Sequence, residues 1–137
     1  LTVAHVGDSR AYLWRDGELR QLTEDHSVPG ALLKQGRITV EEAHEHPHRH
    51  ILYRCLGLKP SVEVDIYPST VLRPGDTILL CSDGLWDMVY PSERLGAYLA
   101  SEASPWFICR RLVDAANEAG GEDNITVMLV RVEEHNA

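Results

Sequence analysis

Cysteine is scarce in this 137-residue chain, which has only three, at Cys55, Cys81 and Cys109. They are odd in number, far apart and set in apolar surroundings, which argues against a disulfide framework or a zinc knuckle. We therefore expect reduced thiols in a core, and a cytoplasmic protein.

Basic residues and long apolar runs are also few. Thirteen Lys and Arg stand against 21 Asp and Glu, for a net charge of −8, and the longest basic cluster is the pair Arg110-Arg111. This balance argues against a nucleic-acid partner. Apolar runs such as residues 78–81 fall far short of the roughly 18 residues that a bilayer requires, so we expect no membrane span in this segment. With 44% apolar residues, the composition fits one globular domain over residues 1–137.

Periodicity predicts an α+β fold. Strands are expected at 1–6, 10–15, 18–22, 61–69, 77–81 and 125–132, and helices at 40–43, at 91–100 and from Pro105 to the Gly120-Gly121 stop. Asp16-Gly17 is a hairpin signal, so the first three strands are predicted to form an antiparallel meander. The strand at 61–69 should put Val62, Val64 and Ile66 on one face. The nearly all-apolar strand at 77–81 should be covered on both faces.

Three acidic motifs stand where predicted strands begin or end. Asp8 lies in Val-Gly-Asp-Ser-Arg, Asp83 in Cys-Ser-Asp-Gly-Leu-Trp-Asp, and Asp123 in Gly-Glu-Asp-Asn-Ile. If the strands are neighbours, the carboxylates converge, and such a cluster is stable only with cations between its members. Oxygen-only ligands suit Mg²⁺ or Mn²⁺ rather than zinc. Taken singly, each motif also has a structural interpretation, as a helix N-cap at Asp83 and as turn residues at Asp8 and Asp123.

Five motifs in one order carry a family resemblance. They are Val-Gly-Asp-Ser-Arg-Ala-Tyr-Leu at 6–13, Leu-Thr-Glu-Asp-His-Ser at 22–27, His-Pro at 46–47 with Arg54 and Leu56-Gly57, Leu-Leu-Cys-Ser-Asp-Gly-Leu-Trp-Asp at 79–87, and Gly-Gly-Glu-Asp-Asn-Ile-Thr-Val at 120–127. Together they resemble the metal-dependent serine/threonine protein phosphatases of the type 2C (PPM) family, in the bacterial style. The resemblance covers essentially the whole chain.

This resemblance implies an α-β-β-α layered β-sandwich flanked by helices, with a two-metal Mg²⁺ or Mn²⁺ centre at one end. It makes Asp83 and Asp123 metal ligands and adds Asp8 as a ligand of a possible third ion. Asn124 and Gly84 are then neighbours that help to orient these ligands. Residues 28–50 match the family's flap, a mobile helical element beside the active site that is linked to substrate choice.

The implied activity is hydrolysis of phosphoserine and phosphothreonine proteins by a metal-activated water, with no phospho-enzyme. The implied partners are Ser/Thr kinases and their substrates. The family's earlier motifs, including an Asp-Gly-Met-Gly-Gly-like segment, do not occur in residues 1–137. The chain thus resembles only the C-terminal half of the domain, so we expect weak metal binding, negligible turnover in isolation and an uncovered apolar face.

Two other functions stay open. A degenerate phosphatase-like module would bind a kinase or phosphopeptide and regulate it without catalysis. A histidine-based metal carrier is suggested by His44, His46, His48 and His50, which would share one face of an extended strand. Pro47 interrupts that run and argues against the carrier. We interpret His5 and His26 as hydrogen-bonded structural residues.

Overall fold

The computed structural model describes residues 1–134 and contains two antiparallel sheets and five helices within that range. The strands are β1 (Val3–His5), β2 (Arg10–Arg15), β3 (Glu18–Gln21), β4 (Asp65–Tyr67), β5 (Thr77–Cys81) and β6 (Val127–Arg131). The helices are α1 (Val28–Lys34), α2 (Val40–His44), α3 (Asp83–Trp86), α4 (Ser92–Leu99) and α5 (Pro105–Glu118). The predicted α+β class is confirmed.

The larger sheet has the strand order β3-β2-β5-β6. Its β2–β3 hairpin turns at Asp16 and Gly17, whose φ angles of 52° and 83° are those of the predicted primed turn. The predicted three-strand meander is wrong at its first member, because β1 leaves the larger sheet and pairs with β4. The pairing Val3↔Tyr67 therefore builds a second, two-stranded sheet from segments far apart in sequence.

One face of the larger sheet is covered by helices. Helix α5 begins where predicted: Ser104 Oγ accepts a hydrogen bond from the Phe107 N–H, and Pro105 occupies the first turn. Its apolar stripe packs on the sheet and, with α3 and α4, completes the core. The buried members of this core are Tyr12, Leu79, Cys81, Leu85, Trp86, Val89, Leu95, Leu99, Ile108, Leu112, Ala115 and Ala116.

The opposite face of the larger sheet is only partly covered. Ala11, Leu13 and Ile78 are buried there, whereas Leu80 is 39% exposed and Met128 is 57% exposed. The prediction that β5 is covered on both faces is therefore wrong at Leu80. The uncovered area is the apolar face that the resemblance implied.

The helical insert, residues 28–50, contains α1 and α2. A capping box starts α2, since the Thr39 hydroxyl accepts from the Glu42 N–H while the Glu42 carboxylate accepts from the Thr39 N–H. The strand predicted at 61–69 is much shorter than expected, because β4 covers only Asp65–Tyr67. Ile66 is 64% exposed, while Asp65 turns inward and pairs with His26 and Arg54. The alternation of apolar and polar residues shows which side chains share a face of this strand. It does not show which face is buried, because that depends on charged partners on other segments.

Asp76 joins three strand ends through its buried carboxylate and its backbone carbonyl. Its oxygens accept hydrogen bonds from Arg15 Nε at 2.7 Å and Nη2 at 2.6 Å, and from the Arg73 N–H at 2.8 Å. Its carbonyl accepts from the Val132 N–H at 2.8 Å. Chiefly because of the Arg15 hydrogen bonds, the pKa of Asp76 falls from 3.8 to about 2.

None of the helices among residues 1–134 combines the length and the apolar character needed to cross a bilayer.

We predict that Asp76 supplies part of the acid sensitivity of this fold. A carboxyl group whose folded pKa is depressed stabilises the protein fully above its unfolded pKa, and this stabilisation is lost as the pH falls toward the folded value. Asp76→Asn should lower the free energy of unfolding at pH 7 by about 2 kcal/mol and flatten its decline between pH 4 and pH 2. Urea unfolding across that pH range measures both effects. Asp114→Asn, at an exposed position, is the control, and an unchanged slope in Asp76→Asn contradicts the assignment.

Candidate metal centre

Asp83 is the first residue of α3, directly after the buried strand β5. Ser82 is the N-cap but its hydroxyl makes no capping bond, so Asp83 is not the N-cap that the structural interpretation assumed. The Gly84 N–H donates to Asp83 Oδ1 at 2.9 Å, and Oδ2 accepts no hydrogen bond from residues 1–134. One oxygen of Asp83 is thereby oriented by the backbone while the other is available to a ligand.

Asp123 has the same local geometry on the segment between α5 and β6. The Asn124 N–H donates to Asp123 Oδ1 at 2.6 Å, and again no hydrogen bond from the described residues reaches Oδ2. The contribution of Asn124 to this geometry comes from its backbone. This arrangement fits the turn interpretation of Asp123 as well as a ligand role.

A glycine brings the two aspartate segments together. A Cβ on Gly84 would overlap the carbonyl oxygen of Asn124 and lie 2.9 Å from its carbonyl carbon, so only glycine allows this approach. Ser82 reinforces it, because its hydroxyl donates to the Asn124 carbonyl at 3.1 Å and accepts from the Thr126 N–H at 3.0 Å. The β5–α3 turn and the segment before β6 are therefore fixed to each other.

Asp83 and Asp123 consequently line one open cleft of about 290 Å³. Most of the side chains around this cleft are polar or charged. The lining residues are His50, Asp83, Gly84, Asp87, Met88, Glu122 and Asp123. Four carboxylates around one cleft repel each other and any anion, unless cations are present. Hard oxygen donors of this kind fit Mg²⁺ or Mn²⁺.

Asp8 lies next to this cleft but does not line it. Its backbone carbonyl accepts a hydrogen bond from Trp86 Nε1 at 3.0 Å, which ties it to α3. Burial raises the pKa of the Asp8 carboxyl, and the charges of Asp83 and Asp25 raise it further. Within residues 1–134, no three His, Cys, Asp or Glu side chains converge tightly enough to hold one ion. The role of Asp8 at a third ion thus stays a prediction.

Arg10 supports the site in a way that the sequence analysis missed. Its guanidinium donates to both oxygens of Asp25, at 3.0 Å from Nε and 2.7 Å from Nη2, and lies 3.5 Å from the ring centre of Trp86. A cation over an indole face is attracted to it. These contacts fix the start of β2 against α3. The only sequence signal for them was that Arg10 and Asp25 belong to two of the five motifs.

The histidines of the insert do not share one face. Residues 40–44 are helical and a turn follows, so the extended strand assumed for the metal-carrier interpretation is wrong. His46 Nδ1 accepts from the His48 N–H at 3.1 Å, and His44 contacts Asp87 instead of the other imidazoles.

The two buried histidines differ from each other. His26 is a hydrogen-bonded structural residue as predicted, with Nδ1 accepting from the Gly7 N–H and Nε2 3.0 Å from Asp65 Oδ2. The same prediction is wrong for His5, whose two ring nitrogens are buried without a hydrogen-bond partner among the described residues. Burial lowers the pKa of His5, and the neighbouring His26 lowers it further.

The three cysteines are free, as predicted. Burial raises the pKa of the Cys81 thiol to about 12, so this residue is not a thiolate at neutral pH. The cysteine nearest to Asp83 in sequence therefore has no nucleophilic role in the cleft.

Comparisons with known proteins find relatives that match nearly the whole chain. A family model described as Stage II sporulation protein E (SpoIIE) matches residues 15–133. The serine/threonine phosphatase stp of Listeria welshimeri is 47% identical over 130 residues, which are 95% of this chain and 51% of that protein.

Solved structures show the same likeness. The PPM Ser-Thr phosphatase MsPP from Mycobacterium smegmatis superimposes with a TM-score of 0.87 at 42% identity, over 96% of this chain and 55% of that one. The catalytic domain of the phosphatase PstP in complex with two manganese ions gives a TM-score of 0.80 at 38% identity, over 97% and 54%.

The chain spans about half the length of the relatives that it matches. Within that span the family resemblance read from the five motifs is confirmed. The chain therefore belongs to the family that the SpoIIE model describes, and its sequence and fold are similar to about half of a PPM-type serine/threonine phosphatase.

Proposed function

We propose that this chain is the C-terminal, metal-binding part of a metal-dependent protein serine/threonine phosphatase domain. The observation that carries the proposal is the single cleft in which Asp83 and Asp123 each keep one carboxylate oxygen available. The relatives named as serine/threonine phosphatases and the manganese complex of PstP support it.

In this proposal Asp83 and Asp123 hold Mg²⁺ or Mn²⁺, and Asp8 contributes to a possible further ion. Bound divalent cations supply the charge that attracts a phosphomonoester dianion and a water activated for attack on phosphorus. The contribution of this chain is to hold the carboxylates rigidly, through the Gly84 and Asn124 amides. The acidic lining also repels an anionic substrate whenever cations are absent.

Two carboxylates are too few to fill the octahedral shells of two ions. We therefore propose that this chain alone binds Mn²⁺ weakly and turns over phosphopeptides negligibly. Phosphoserine and phosphothreonine proteins, including Ser/Thr kinases and their substrates, are the proposed partners, and the cytoplasm is the proposed location. The regulatory-module alternative shares the fold and differs only in lacking phosphate release.

The proposed function leads to a prediction about the metal ligands. Asp83→Asn and Asp123→Asn should each lower the affinity of this chain for Mn²⁺ at least about tenfold, because each removes a charged ligand of the same ion. Isothermal titration calorimetry measures this, with Asp114→Asn on the exposed face of α5 as the matched control. Equal affinities for all four proteins would show that the ions bind elsewhere.

Activity is measured with the chain joined to the complementary half of the Listeria relative. Mn²⁺-dependent release of phosphate from a phosphothreonine peptide should fall at least about a hundredfold in Asp83→Asn. Undiminished release in that variant contradicts the assignment. Peptide binding without any release would favour the regulatory module.

A further prediction concerns Gly84. Gly84→Ala should lower both the stability of the chain and its Mn²⁺ affinity, because the new methyl group forces the Asp83 and Asp123 segments apart. Gly57→Ala is the control: its φ of 84° also disfavours a side chain, but no atom crowds this glycine and it does not line the cleft. If Gly84→Ala binds Mn²⁺ as tightly as Gly57→Ala does, the close approach does not shape the site.

A further inference from the structure

Asp87, at the C-terminal end of α3, contacts the helical insert. Its Oδ1 lies 3.2 Å from His44 Nδ1, and its Oδ2 lies 3.4 Å from Arg49 Nε. The Asp87 side chain is only 10% exposed. A carboxylate with so little access to water requires compensating charge or donors. Among residues 1–134, its ion-pair partners are these two side chains, and both belong to the insert.

An aromatic contact joins the same two elements. The imidazole of His44 stacks on the ring of Tyr90, with centroids 3.7 Å apart and planes inclined by 8°. His44 is thus held by Asp87 through a ring nitrogen and by Tyr90 across a ring face. Together, the in-plane contact with Asp87 and the stacking on Tyr90 restrict the position of the His44 ring more than either contact does alone.

Backbone hydrogen bonds hold the two ends of the insert, whereas Asp87 makes ion pairs with its second half. The Val28 N–H donates to the Ile51 carbonyl at 3.0 Å, and the Tyr53 N–H donates to the His26 carbonyl at 3.0 Å. These bonds secure the start of α1 and the chain that leaves the insert. Residues 40–50 lie between those points, and their ion pairs with the helical layer are the ones to Asp87.

Within the insert, the residue that contacts Asp87 is directly followed by a residue that lines the cleft. Arg49 contacts Asp87, and the next residue, His50, lines the cleft that contains Asp83 and Asp123. Asp87 itself lies four residues after Asp83, at the other end of the same short helix. A displacement of the insert from Asp87 would therefore move His50 away from the cleft.

We propose that Asp87 is a positioning residue that anchors residues 40–50 of the insert on α3 and thereby holds His50 at the edge of the acidic cleft. Asp83 and His50 both line this cleft, and the position of His50 relative to Asp83 then depends on this carboxylate. The part of the inference that concerns a metal in the cleft rests on the proposed function. The anchoring itself does not.

The anchoring is tested on the 137-residue chain by amide hydrogen exchange in Asp87→Asn. The amides of Ala43, Glu45 and Arg49 donate hydrogen bonds within the insert and report on its order. Asp87 Oδ1 and Arg49 Nε make no hydrogen bond among the described residues, so the contact is electrostatic. Exchange of these amides should accelerate about tenfold, because the substitution removes the charge of a little-exposed carboxylate that pairs with the insert. Amides of α5 should not change. Arg49→Gln, which alters the insert side of the contact, should reproduce part of the effect, and Asp114→Asn should have none.

A spectroscopic signature separates anchoring from general destabilisation. Ring currents from Tyr90 should shift the His44 ring protons upfield, and Asp87→Asn should move them toward the positions seen in Tyr90→Leu. Added Mn²⁺ should broaden the His50 resonances of the unaltered chain, and broaden them less in Asp87→Asn.

Three results would overturn the proposal. Unchanged exchange at residues 40–50 in Asp87→Asn, or equal acceleration in α5, would show that the carboxylate does not anchor the insert specifically. Unmoved His44 signals would show the same. If Mn²⁺ broadens neither Asp83 nor Asp123 in the unaltered chain, the proposed metal centre fails, and with it the statement about His50, whereas the exchange result still decides the anchoring.

Discussion

The close approach of Gly84 to the backbone of Asn124 is the contact on which the candidate site depends. It joins the end of β5 to the segment before β6, two neighbouring strands of the larger sheet. Because the residue before Gly84 and the residue before Asn124 are both aspartates, this backbone contact places Asp83 and Asp123 in one cleft. The helices behind the sheet keep that geometry fixed, since α3 is buried against α5 through Leu85 and Trp86.

Electrostatics gives the site its chemical character. The cleft concentrates carboxylates, whereas the positive side chains nearby are occupied: Arg10 by Asp25 and Arg49 by Asp87. The charge that these arginines leave without a partner is therefore negative, and it lies on the carboxylates that line the cleft. Such an arrangement favours divalent cations. In the proposed function, phosphate binding depends on them.

Much of this architecture could be predicted from the sequence, for local reasons. The Asp16-Gly17 turn, the Thr39–Glu42 capping box and the Ser104-Pro105 helix start are encoded in a few adjacent residues, and each was confirmed. The candidate ligands were identified because Asp83 and Asp123 lie in motifs of the family. Their convergence in one cleft follows from the pairing of β5 with β6.

What could not be predicted depends on contacts between distant segments. No local pattern shows that β1 pairs with β4, or that Asp65 rather than Ile66 faces inward to meet His26 and Arg54. The alternating histidines suggested an extended strand, but a capped helix and a turn occupy that segment. Asp87 carries no signal of its contact with the insert, because both of its partners lie about forty residues earlier.

The central claim is that Asp83 and Asp123 together bind a divalent cation. The most direct test is an anomalous difference map from crystals of this chain grown with Mn²⁺. The account predicts a peak between the two carboxylates, within about 2.0 to 2.4 Å of an oxygen of each. A peak at the insert histidines with none in the cleft, or no peak at all at saturating Mn²⁺, would contradict it.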